Sequence, residues 1–337
     1  MKKQIDYRSD TLTRPTAGMK QAMLDADIGD DVYGEDPSII ELQERLADQF
    51  GKEAGLFFPS GTQSNLVAML SHCQRGEEVI TAQEYHVFTY EASGASVLGG
   101  IAMHPLASSD YGTIDPADVQ SAIKVDDPHY AVSKLLSLEN TVSGCIQPQS
   151  VIEEATQVAH DTGLKTHLDG ARVFNASVAS GLSPATLSKP FDTVSICLSK
   201  GLGTPAGSVL VGEKETIRYA LRQRKMLGGG MRQSGILAAA GLYALDHNVD
   251  RLEQDHINAK LLASALSEIP QLNVDMSRVQ SNMVFIHPDK SEHASLAEFM
   301  SNRGITIAQE RLVLHLDIDE AMVRETITAF HDFYEQR

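Results

Sequence analysis

The chain has 337 residues, with 28 Lys and Arg against 45 Asp and Glu, so its formal net charge is 28 − 45 = −17 with histidine neutral. This charge argues against nucleic acid or an anionic membrane surface as the main partner, and 42% apolar residues are too many for a disordered chain. No apolar run approaches the roughly 20 residues that span a bilayer, and the start lacks the apolar stretch of a secretory signal, which favours a cytoplasmic protein.

The first clear helical pattern covers 36–50. Asp36 is a suitable N-cap and Pro37 suits the first helical turn. Apolar side chains spaced by three or four residues form one stripe along the pattern: Ile39, Leu42 and Leu46. We therefore predict an amphipathic helix that packs one face on the core.

Short apolar segments then alternate with helical patterns. The predicted strands cover 55–59, 79–81, 135–139, 165–169, 194–198 and 208–211. The predicted helices among them cover 63–74, 115–123, 150–162 and 213–226. This alternation favours an α/β fold with a mostly parallel central sheet. Such sheets bind ligands at the C-terminal ends of their strands, where polar residues follow several of these segments.

The pattern changes beyond about residue 250. Helices are predicted over 251–267, 294–302 and 319–334, and strands over 282–287 and 311–316. This arrangement indicates a small α+β lobe attached to the large domain. We predict a large domain over 1–247 and a small C-terminal domain over 248–337.

Three segments carry the groups that a pyridoxal 5'-phosphate (PLP) site requires. Asp169 and Lys200 each follow a predicted apolar strand, and Ser60-Gly61-Thr62 precedes a predicted helix. A lysine amine forms an imine with the PLP aldehyde, an acid keeps the pyridine nitrogen protonated, and a helix N-terminus binds the phosphate. The alternative interpretation is that Asp169 and Lys200 are unrelated surface charges.

Six motifs follow one another between residues 6 and 233, and together they resemble the low-specificity L-threonine aldolases. They are residues 6–11 (DYRSDT), 29–37 (GDDVYGEDP), 58–62 (FPSGT), 167–172 (HLDGAR), 198–201 (LSKG) and 225–233 (KMLGGGMRQ). A weaker match at residues 310–313 extends the resemblance to nearly the whole chain. The family uses PLP and has fold type I, the aspartate aminotransferase-like fold, so the resemblance implies this cofactor and a large domain with a small C-terminal domain.

The resemblance implies specific roles around the cofactor. Lys200 would carry the imine, Asp169 would pair with the pyridine nitrogen, and Arg172 would lie beside the phenolic oxygen of the ring. The residues expected to hold the phosphate are Ser60, Gly61, Thr62 and Arg232. Ser199 either helps to position the phosphate or simply ends its strand. In this family, Arg232 would act across a subunit interface.

The resemblance also implies a substrate site. Ser9 and Arg311 would bind the substrate carboxylate, which the fork of a guanidinium fits well. His86 would stack on the cofactor ring near the substrate hydroxyl, and His129 is a second candidate for contact with that hydroxyl. The other residues expected to border the substrate are Arg172 and, from a neighbouring subunit, Tyr33 and Lys225.

One segment departs from the family pattern. Residues 142–145 (Val-Ser-Gly-Cys) stand where the family usually has histidine or another polar residue. This leaves the local shape of the pocket for the substrate β-substituent open. The fold interpretation does not depend on this segment.

Other kinds of site are disfavoured. Residues 201–206 fit the loose dinucleotide pattern GxGxxG/A, but the next apolar strand begins at Ser208 and leaves no room for the required helix. The twelve histidines and three separated cysteines show no metal-ligand spacing, so we predict no metal, although a surface or interface cation stays open. Ser60 lacks the nucleophile-elbow pattern of a serine hydrolase.

The function hypothesis is retro-aldol cleavage of L-threonine and L-allo-threonine to glycine and acetaldehyde through an external aldimine. His86 or His129 would accept the β-hydroxyl proton directly or through water. Other L-β-hydroxy-α-amino acids are expected substrates, and the resemblance favours a homotetramer, a dimer of dimers with active sites at subunit interfaces. The alternatives are another PLP reaction, such as β-elimination, transamination or hydroxymethyl transfer, and a PLP-binding protein without activity.

Overall fold

Residues 4–308 and 310–336 are described by the structure, which is a computed structural model. Its strands are β1 Ile5–Asp6, β2 Ala54–Phe58, β3 Glu77–Ala82, β4 Ala102–Leu106, β5 Val132–Glu139, β6 Lys165–Gly170, β7 Thr193–Cys197, β8 Ser208–Gly212, β9 Met283–Phe285, β10 Ile305–Thr306 and β11 Arg311–Val313. Its helices are α1 Ala17–Leu24, α2 Pro37–Gln49, α3 Gly61–His72, α4 His86–Thr89, α5 Gly94–Gly99, α6 Pro116–Ala122, α7 Gln149–Asp161, α8 Val173–Ser180, α9 Pro184–Ser188, α10 Lys214–Met226, α11 Gly235–His247, α12 Leu252–Leu266, α13 His293–Asn302 and α14 Glu320–Glu335.

A seven-stranded sheet forms the centre of the large domain, in the order β2-β8-β7-β6-β5-β3-β4. Neighbouring strands from β7 to β4 pair in parallel, and β8 pairs antiparallel with both of its neighbours. Strands β7 and β8 are buried at every residue, as expected where helices cover both faces of a sheet. The prediction of an α/β fold with a mostly parallel sheet is confirmed.

The register of the parallel strands places their polar ends side by side. Glu139, the last residue of β5, pairs with Asp169 of β6, and Asp169 pairs with Ser195 of β7. Three residues beyond the end of β7 comes Lys200. Because parallel strands end at the same edge, two carboxyl groups and the lysine-bearing loop meet at one edge of the sheet.

A second hydrophobic core lies in the C-terminal part of the chain, where helices α12, α13 and α14 pack around the antiparallel pair of β9 and β11. Ile5 and Tyr7 belong to this core, and β1 pairs in parallel with β10. The Tyr7 hydroxyl donates a hydrogen bond to Thr326 Oγ1 at 3.0 Å. The division at 247/248 stays a prediction, but Ile5 and Tyr7, which it assigns to the large domain, pack in the core of the small one.

Each strand and helix predicted from the sequence has a counterpart, with bounds that shift by a few residues. The sequence did not predict several further elements, among them α1, β4, α8 and α11. Helix α11 buries Ala and Gly on several sides, so it lacks the single apolar stripe by which a surface helix is recognised. In the described ranges, 4–308 and 310–336, no helix is long and apolar enough to cross a membrane.

One buried carboxylate joins two helices of the large domain. Asp36 is the N-cap of α2, and its Oδ1 accepts the backbone N–H of Ile39 at 3.1 Å. Its Oδ2 accepts the N–H of Gly235, the first residue of α11, at 2.8 Å. Position 235 requires glycine because a Cβ there would collide with the Asp36 carboxylate. Asp36 therefore caps two helices at once.

We expect Asp36→Ala to lower the free energy of unfolding by about 2–3 kcal/mol, since it removes a cap and leaves a buried N–H without an acceptor. Asp115→Ala is the matched control, because Asp115 is an exposed N-cap that serves α6 alone. It should cost about 1 kcal/mol or less. Urea denaturation measures both changes, and equal losses in the two variants would contradict the double role of Asp36.

Candidate functional site

A cavity of about 150 Å³ opens at the C-terminal edge of the parallel strands. Six residues that the sequence assigned to a site line it: Gly61, Thr62, His86, Asp169, Ser199 and Lys200. Five further residues complete the lining: Asn65, Glu91, Ala171, Ser195 and Cys197. Segments widely separated in the chain therefore converge on one cavity.

The C-terminal ends of two parallel strands position Asp169 and Lys200, the two residues on which the PLP hypothesis depends. Asp169 is buried at the end of β6, and its Oδ1 accepts the N–H of Ala171 at 3.0 Å. Glycine follows it because a Cβ at Gly170 would lie 2.8 Å from the Ser195 carbonyl oxygen. Lys200 is half-buried, and its carbonyl accepts a 2.8 Å hydrogen bond from Thr13 Oγ1. The N-terminal segment thus holds the lysine loop in place.

The N-terminus of α3 forms another wall. Ser60 is its N-cap, and the Ser60 Oγ accepts the N–H of Gln63 at 3.2 Å. Helix geometry leaves the N–H groups of Gly61 and Thr62 without acceptors inside the helix. Within the part of the chain that the structure describes, the buried Ser208 Oγ has no hydrogen-bond partner, and it lies 3.4 Å from the Cβ that position 61 would carry.

These groups fit PLP. The cavity offers an amine, a carboxylate and a helix N-terminus, which are the donor set that the aldehyde, the pyridine nitrogen and the phosphate require. The unpartnered Ser208 hydroxyl beside Gly61 adds a hydrogen-bonding group where the phosphate would bind. The structure therefore supports the choice of cofactor by the chemistry of the residues present.

His86 begins the short helix α4 and is held by two acids. Its Nδ1 lies 2.8 Å from Glu91 Oε1, and its backbone N–H donates to Glu139 Oε2 at 2.7 Å. The hydrogen bond to Glu91 raises the pKa of His86 above its ordinary value, although burial opposes this. The ring faces the cavity and lies 5.7 Å from that of Tyr90, centroid to centroid. His86 is therefore oriented by Glu91 at one ring nitrogen.

Three carboxyl groups crowd this end of the site: Glu91, Glu139 and Asp169. Burial raises the pKa of Glu91, and the charge of Asp169 adds to this. Burial and Asp169 likewise raise the pKa of Glu139. Ligand atoms of His86, Glu91 and Asp169 lie within 4.8 Å of one another, but all three line the cavity that PLP fits, so we assign this space to the cofactor rather than to a metal.

Arg172 is fixed by a buried acid from the N-terminal segment. Its Nε and Nη2 donate to the two carboxylate oxygens of Asp10, each at 2.7 Å. Asn282 Nδ2 donates to the same carboxylate at 3.3 Å and to the Leu314 carbonyl at 3.0 Å. Burial alone would raise the pKa of Asp10, but the charge and hydrogen bonds of Arg172 outweigh it and lower the pKa to about 2.

Ser9 and Arg311 lie close together but outside the Lys200 cavity. Arg311 Nη2 donates to the Arg8 carbonyl at 3.3 Å, next to Ser9, whose Oγ accepts the N–H of Thr11 at 3.2 Å. Arg311 lines a larger open cavity of about 790 Å³, and Tyr90 of the large domain also lines it. Tyr90 also contacts the His86 ring, so this larger cavity adjoins the His86 side of the site.

Besides Ser60, the exposed N-cap of α3, four predicted site residues are exposed and do not line the Lys200 cavity: Tyr33, His129, Lys225 and Arg232. Arg232 pairs with Asp30 at 3.1 Å, and its carbonyl accepts the N–H of Asp31, close to Tyr33. His129 pairs with Asp127 at 2.6 Å, and its side chain is 84% exposed. Within one chain, these residues are not brought to the site.

Among the residues near the site that were not assigned from the sequence, four act on its predicted groups by hydrogen bonds or charge: Asp10, Asn65, Glu91 and Glu139. Asp10 lies inside the first motif and Glu139 at the end of a predicted strand, so both carried a signal. Asn65 lies one helical turn after Gly61, on the same face of α3. Glu91 follows His86 by five residues across a turn, and no periodic pattern reveals it.

Residues 6–289 match the family described as beta-eliminating lyase. The chain is 48% identical to the low specificity L-threonine aldolase of Escherichia coli K12, covering 98% of this chain and 99% of that protein. It is 40% identical to a probable low-specificity L-threonine aldolase of Arabidopsis thaliana, covering 98% and 97%. The fold is similar to that of Leishmania major threonine aldolase, with a TM-score of 0.85 at 20% identity over 98% of this chain and 99% of that one.

We expect Asp10→Ala to lower the free energy of unfolding by about 3 kcal/mol, since it leaves the Arg172 guanidinium buried and unpaired. Because the pKa of Asp10 is lowered in the folded state, its ionised carboxylate stabilises the fold at pH values above the ordinary pKa of 3.8. This stabilisation is lost as the pH falls toward 2. Wild-type protein should therefore lose stability over pH 4 to 2 more steeply than the variant, as urea denaturation at several pH values will show.

Asp6→Ala is the matched control for this ion pair. Asp6 also pairs with an arginine at 2.7 Å, but the Arg8 side chain is 55% exposed. Solvent screens such a pair, so this variant should unfold almost as wild type does. A loss as large as that of Asp10→Ala would contradict a special role for the buried pair.

Proposed function

The chain belongs to the beta-eliminating lyase family and, within it, to the low-specificity L-threonine aldolases, and on this premise we propose that it cleaves L-threonine and L-allo-threonine to glycine and acetaldehyde. The predictions of family, PLP cofactor and lyase activity on threonine are confirmed by these relatives. The products, the allo substrate and further L-β-hydroxy-α-amino acids belong to the proposal.

One observation carries the proposal: Lys200, Asp169 and the N-terminus of α3 surround a single cavity. The Lys200 amine would bind the aldehyde of PLP, and the Asp169 carboxylate would pair with its pyridine nitrogen. The N–H groups of Gly61 and Thr62 would bind the phosphate. When bound, PLP acts as an electron sink for the pair released when a bond to Cα breaks. Asp169 is buried and hydrogen-bonded at both oxygens, which suits a carboxylate that keeps a ring nitrogen protonated.

His86 is the base that the geometry favours for the β-hydroxyl proton. It faces the cavity, and the second ring nitrogen is left for the substrate when Nδ1 pairs with Glu91. The His86 imidazole must be neutral to accept a proton, so activity should fall as pH drops through the raised pKa of His86. His129 could contribute only from another subunit, because it is exposed in its own chain.

Arg311 and Ser9 would bind the substrate carboxylate. The Arg311 guanidinium lies on the larger cavity beside Tyr90, which itself contacts His86. A carboxylate held there and a hydroxyl held at His86 would fix the substrate at two points. Two fixed points orient the bond that breaks relative to the cofactor ring.

The decisive test compares wild type with Lys200→Ala. Wild-type protein should show the absorbance of PLP bound through a lysine imine and should release acetaldehyde and glycine from threonine. The variant should lack that absorbance and lose activity by several orders of magnitude, because Lys200 carries the only amine among the described residues that line the cavity. Lys189→Ala, on an exposed part of the large domain, is the control and should behave as wild type.

The products also separate this proposal from its rivals. With threonine as substrate, elimination of water would give 2-oxobutanoate and ammonia in place of acetaldehyde, and transamination would give 2-oxo-3-hydroxybutanoate without free ammonia. Bound PLP with no turnover of threonine would indicate a binding protein. Either result would contradict the proposed reaction while leaving the PLP site intact.

We further propose that the active site is completed by a second subunit, within a homotetramer built as a dimer of dimers. Tyr33, Lys225 and Arg232 carry chemistry suited to the site, yet all three are exposed in one chain. Apolar side chains beside them are exposed as well: Ile28, Val32 and Met226. Apolar surface beside polar groups is typical of a protein interface.

Hybrid subunits test the shared site. Lys200→Ala and Arg232→Ala should each be weakly active, and mixed subunits should recover activity if Arg232 acts on the partner's site. With random pairing, half the dimers are hybrid and each has one intact site, so about a quarter of wild-type activity should return. If Arg232 acted within its own subunit, both hybrid sites would keep one defect and activity would not return.

A cytoplasmic location is also part of the proposal. The three cysteines, Cys73, Cys145 and Cys197, are buried free thiols. Free thiols are typical of proteins in a reducing compartment.

A further inference from the structure

A single side-chain amide connects two of the acids in the site. Asn65 Nδ2 donates to Glu91 Oε1 at 2.9 Å and to Asp169 Oδ2 at 3.0 Å. Asn65 is buried on α3 and faces the cavity. Its two N–H groups therefore serve the acid that orients His86 and the acid that would pair with the cofactor ring.

A chain of hydrogen bonds behind Asn65 fixes which way its amide points. Asn65 Oδ1 lies 3.1 Å from His167 Nε2, and His167 Nδ1 lies 2.9 Å from Thr193 Oγ1. Thr193 Oγ1 in turn lies 2.9 Å from His72 Nε2. All these side chains are buried or nearly so. The sheet interior thus contains a continuous polar chain that ends at Asn65.

The direction of each hydrogen bond follows from the carboxylates. Since both Asn65 N–H groups are donated to acids, Oδ1 must accept, and His167 Nε2 must carry the proton. His167 Nδ1 then accepts from the Thr193 hydroxyl, whose oxygen accepts from His72 Nε2–H. Burial lowers the pKa of His167 to about 3 and that of His72 to about 4. Both rings are therefore neutral, as this chain requires.

We propose that Asn65 is a positioning residue that holds the carboxylates of Asp169 and Glu91 side by side by donating to both, and that the His167–Thr193–His72 chain keeps its amide from turning over. A turned amide would direct an oxygen at two carboxylates. The inference rests on the proposed function, in which His86 accepts the proton and Asp169 serves the cofactor. It adds that one amide serves both of these roles.

Several charged groups surround His86 and affect its pKa, so the role of Asn65 can be observed as a change in that pKa. Glu91, Asp169 and Lys200 act on the imidazole, and Glu139 accepts its backbone N–H. Because His86 Nδ1 lies 2.8 Å from Glu91 Oε1, protonation of one group affects the other and their titrations are linked. Asn65 stabilises the fully deprotonated pair by donating to the Glu91 carboxylate, so its loss should raise the pKa of the pair. Loss of the Glu91 charge should have the opposite effect, because the main cause of the raised pKa of His86 disappears.

The experiment measures kcat/KM for threonine against pH in wild type, Asn65→Leu and Glu91→Gln. Leucine has nearly the size of asparagine but no donors. We expect the acid limb of the profile to move up by about one pH unit in Asn65→Leu and to move down in Glu91→Gln. At the wild-type optimum, Asn65→Leu should lose about 10- to 100-fold in kcat/KM, as is usual when a partner of an active-site acid is removed.

A second readout does not depend on turnover. Asp169 loses a hydrogen bond in Asn65→Leu, so PLP should dissociate from the holoenzyme more readily, by about tenfold in Kd. Loss of the bound-cofactor absorbance on dilution measures this. Thr156→Val is the control, because its buried hydroxyl bonds only to carbonyls of its own helix, α7. It should leave the pH profile and the PLP affinity unchanged.

Asn65→Asp covers the case in which Asn65→Leu does not fold. It keeps the size of the side chain but can donate at most one hydrogen bond, and only when protonated, so its acid limb should also move up. An unshifted or lowered acid limb in the folded Asn65 variants would overturn the inference, even if activity fell. Absence of PLP-dependent acetaldehyde release in wild type would instead overturn the proposed function.

Discussion

The site depends on one ion pair, between Arg172 and Asp10. Arg172 directly follows Ala171 of the cavity lining, and Asp10 neutralises its guanidinium through two 2.7 Å hydrogen bonds. Asp10 in turn accepts from Asn282, which lies just before β9. The N-terminal segment, the edge of the central sheet and the small lobe therefore meet at one ion pair. Because a buried charge without a partner is costly, this pair fixes how the three parts fit together.

The net charge of −17 conceals an uneven distribution. Cations border the places where an anionic cofactor and a carboxylate substrate would bind: Arg172, Lys200 and Arg311. Acids of the Lys200 site accept hydrogen bonds from neighbouring groups, as Glu91 does from Asn65 and Asp169 from Asn65 and Ala171. A strongly acidic protein can thus bind anions because its surface charge and its site charge are set separately.

Sequence patterns predicted the framework because it rests on local rules. Strand and helix periodicity located the sheet, and the residues after strands, Asp169 and Lys200, were identified by their type and position. The rest depends on tertiary structure. Asn65 joins Glu91, Asp169 and His167 across 26, 104 and 102 residues, and no local pattern encodes such distances. Tyr33, Lys225 and Arg232 stay predictions, since one chain does not place them at the Lys200 cavity.

The pairing of β1 with β10 has a consequence for synthesis of the chain. Ile5 pairs with Ile305, so the ribosome makes one partner 300 residues before the other. Until residue 305 has emerged, the segment that carries Asp10 and Thr13 has no small lobe on which to anchor. The central sheet can fold earlier, because its strands lie between residues 54 and 212. We therefore expect a nascent chain to build its sheet first and to close the site around Arg172 and Lys200 last.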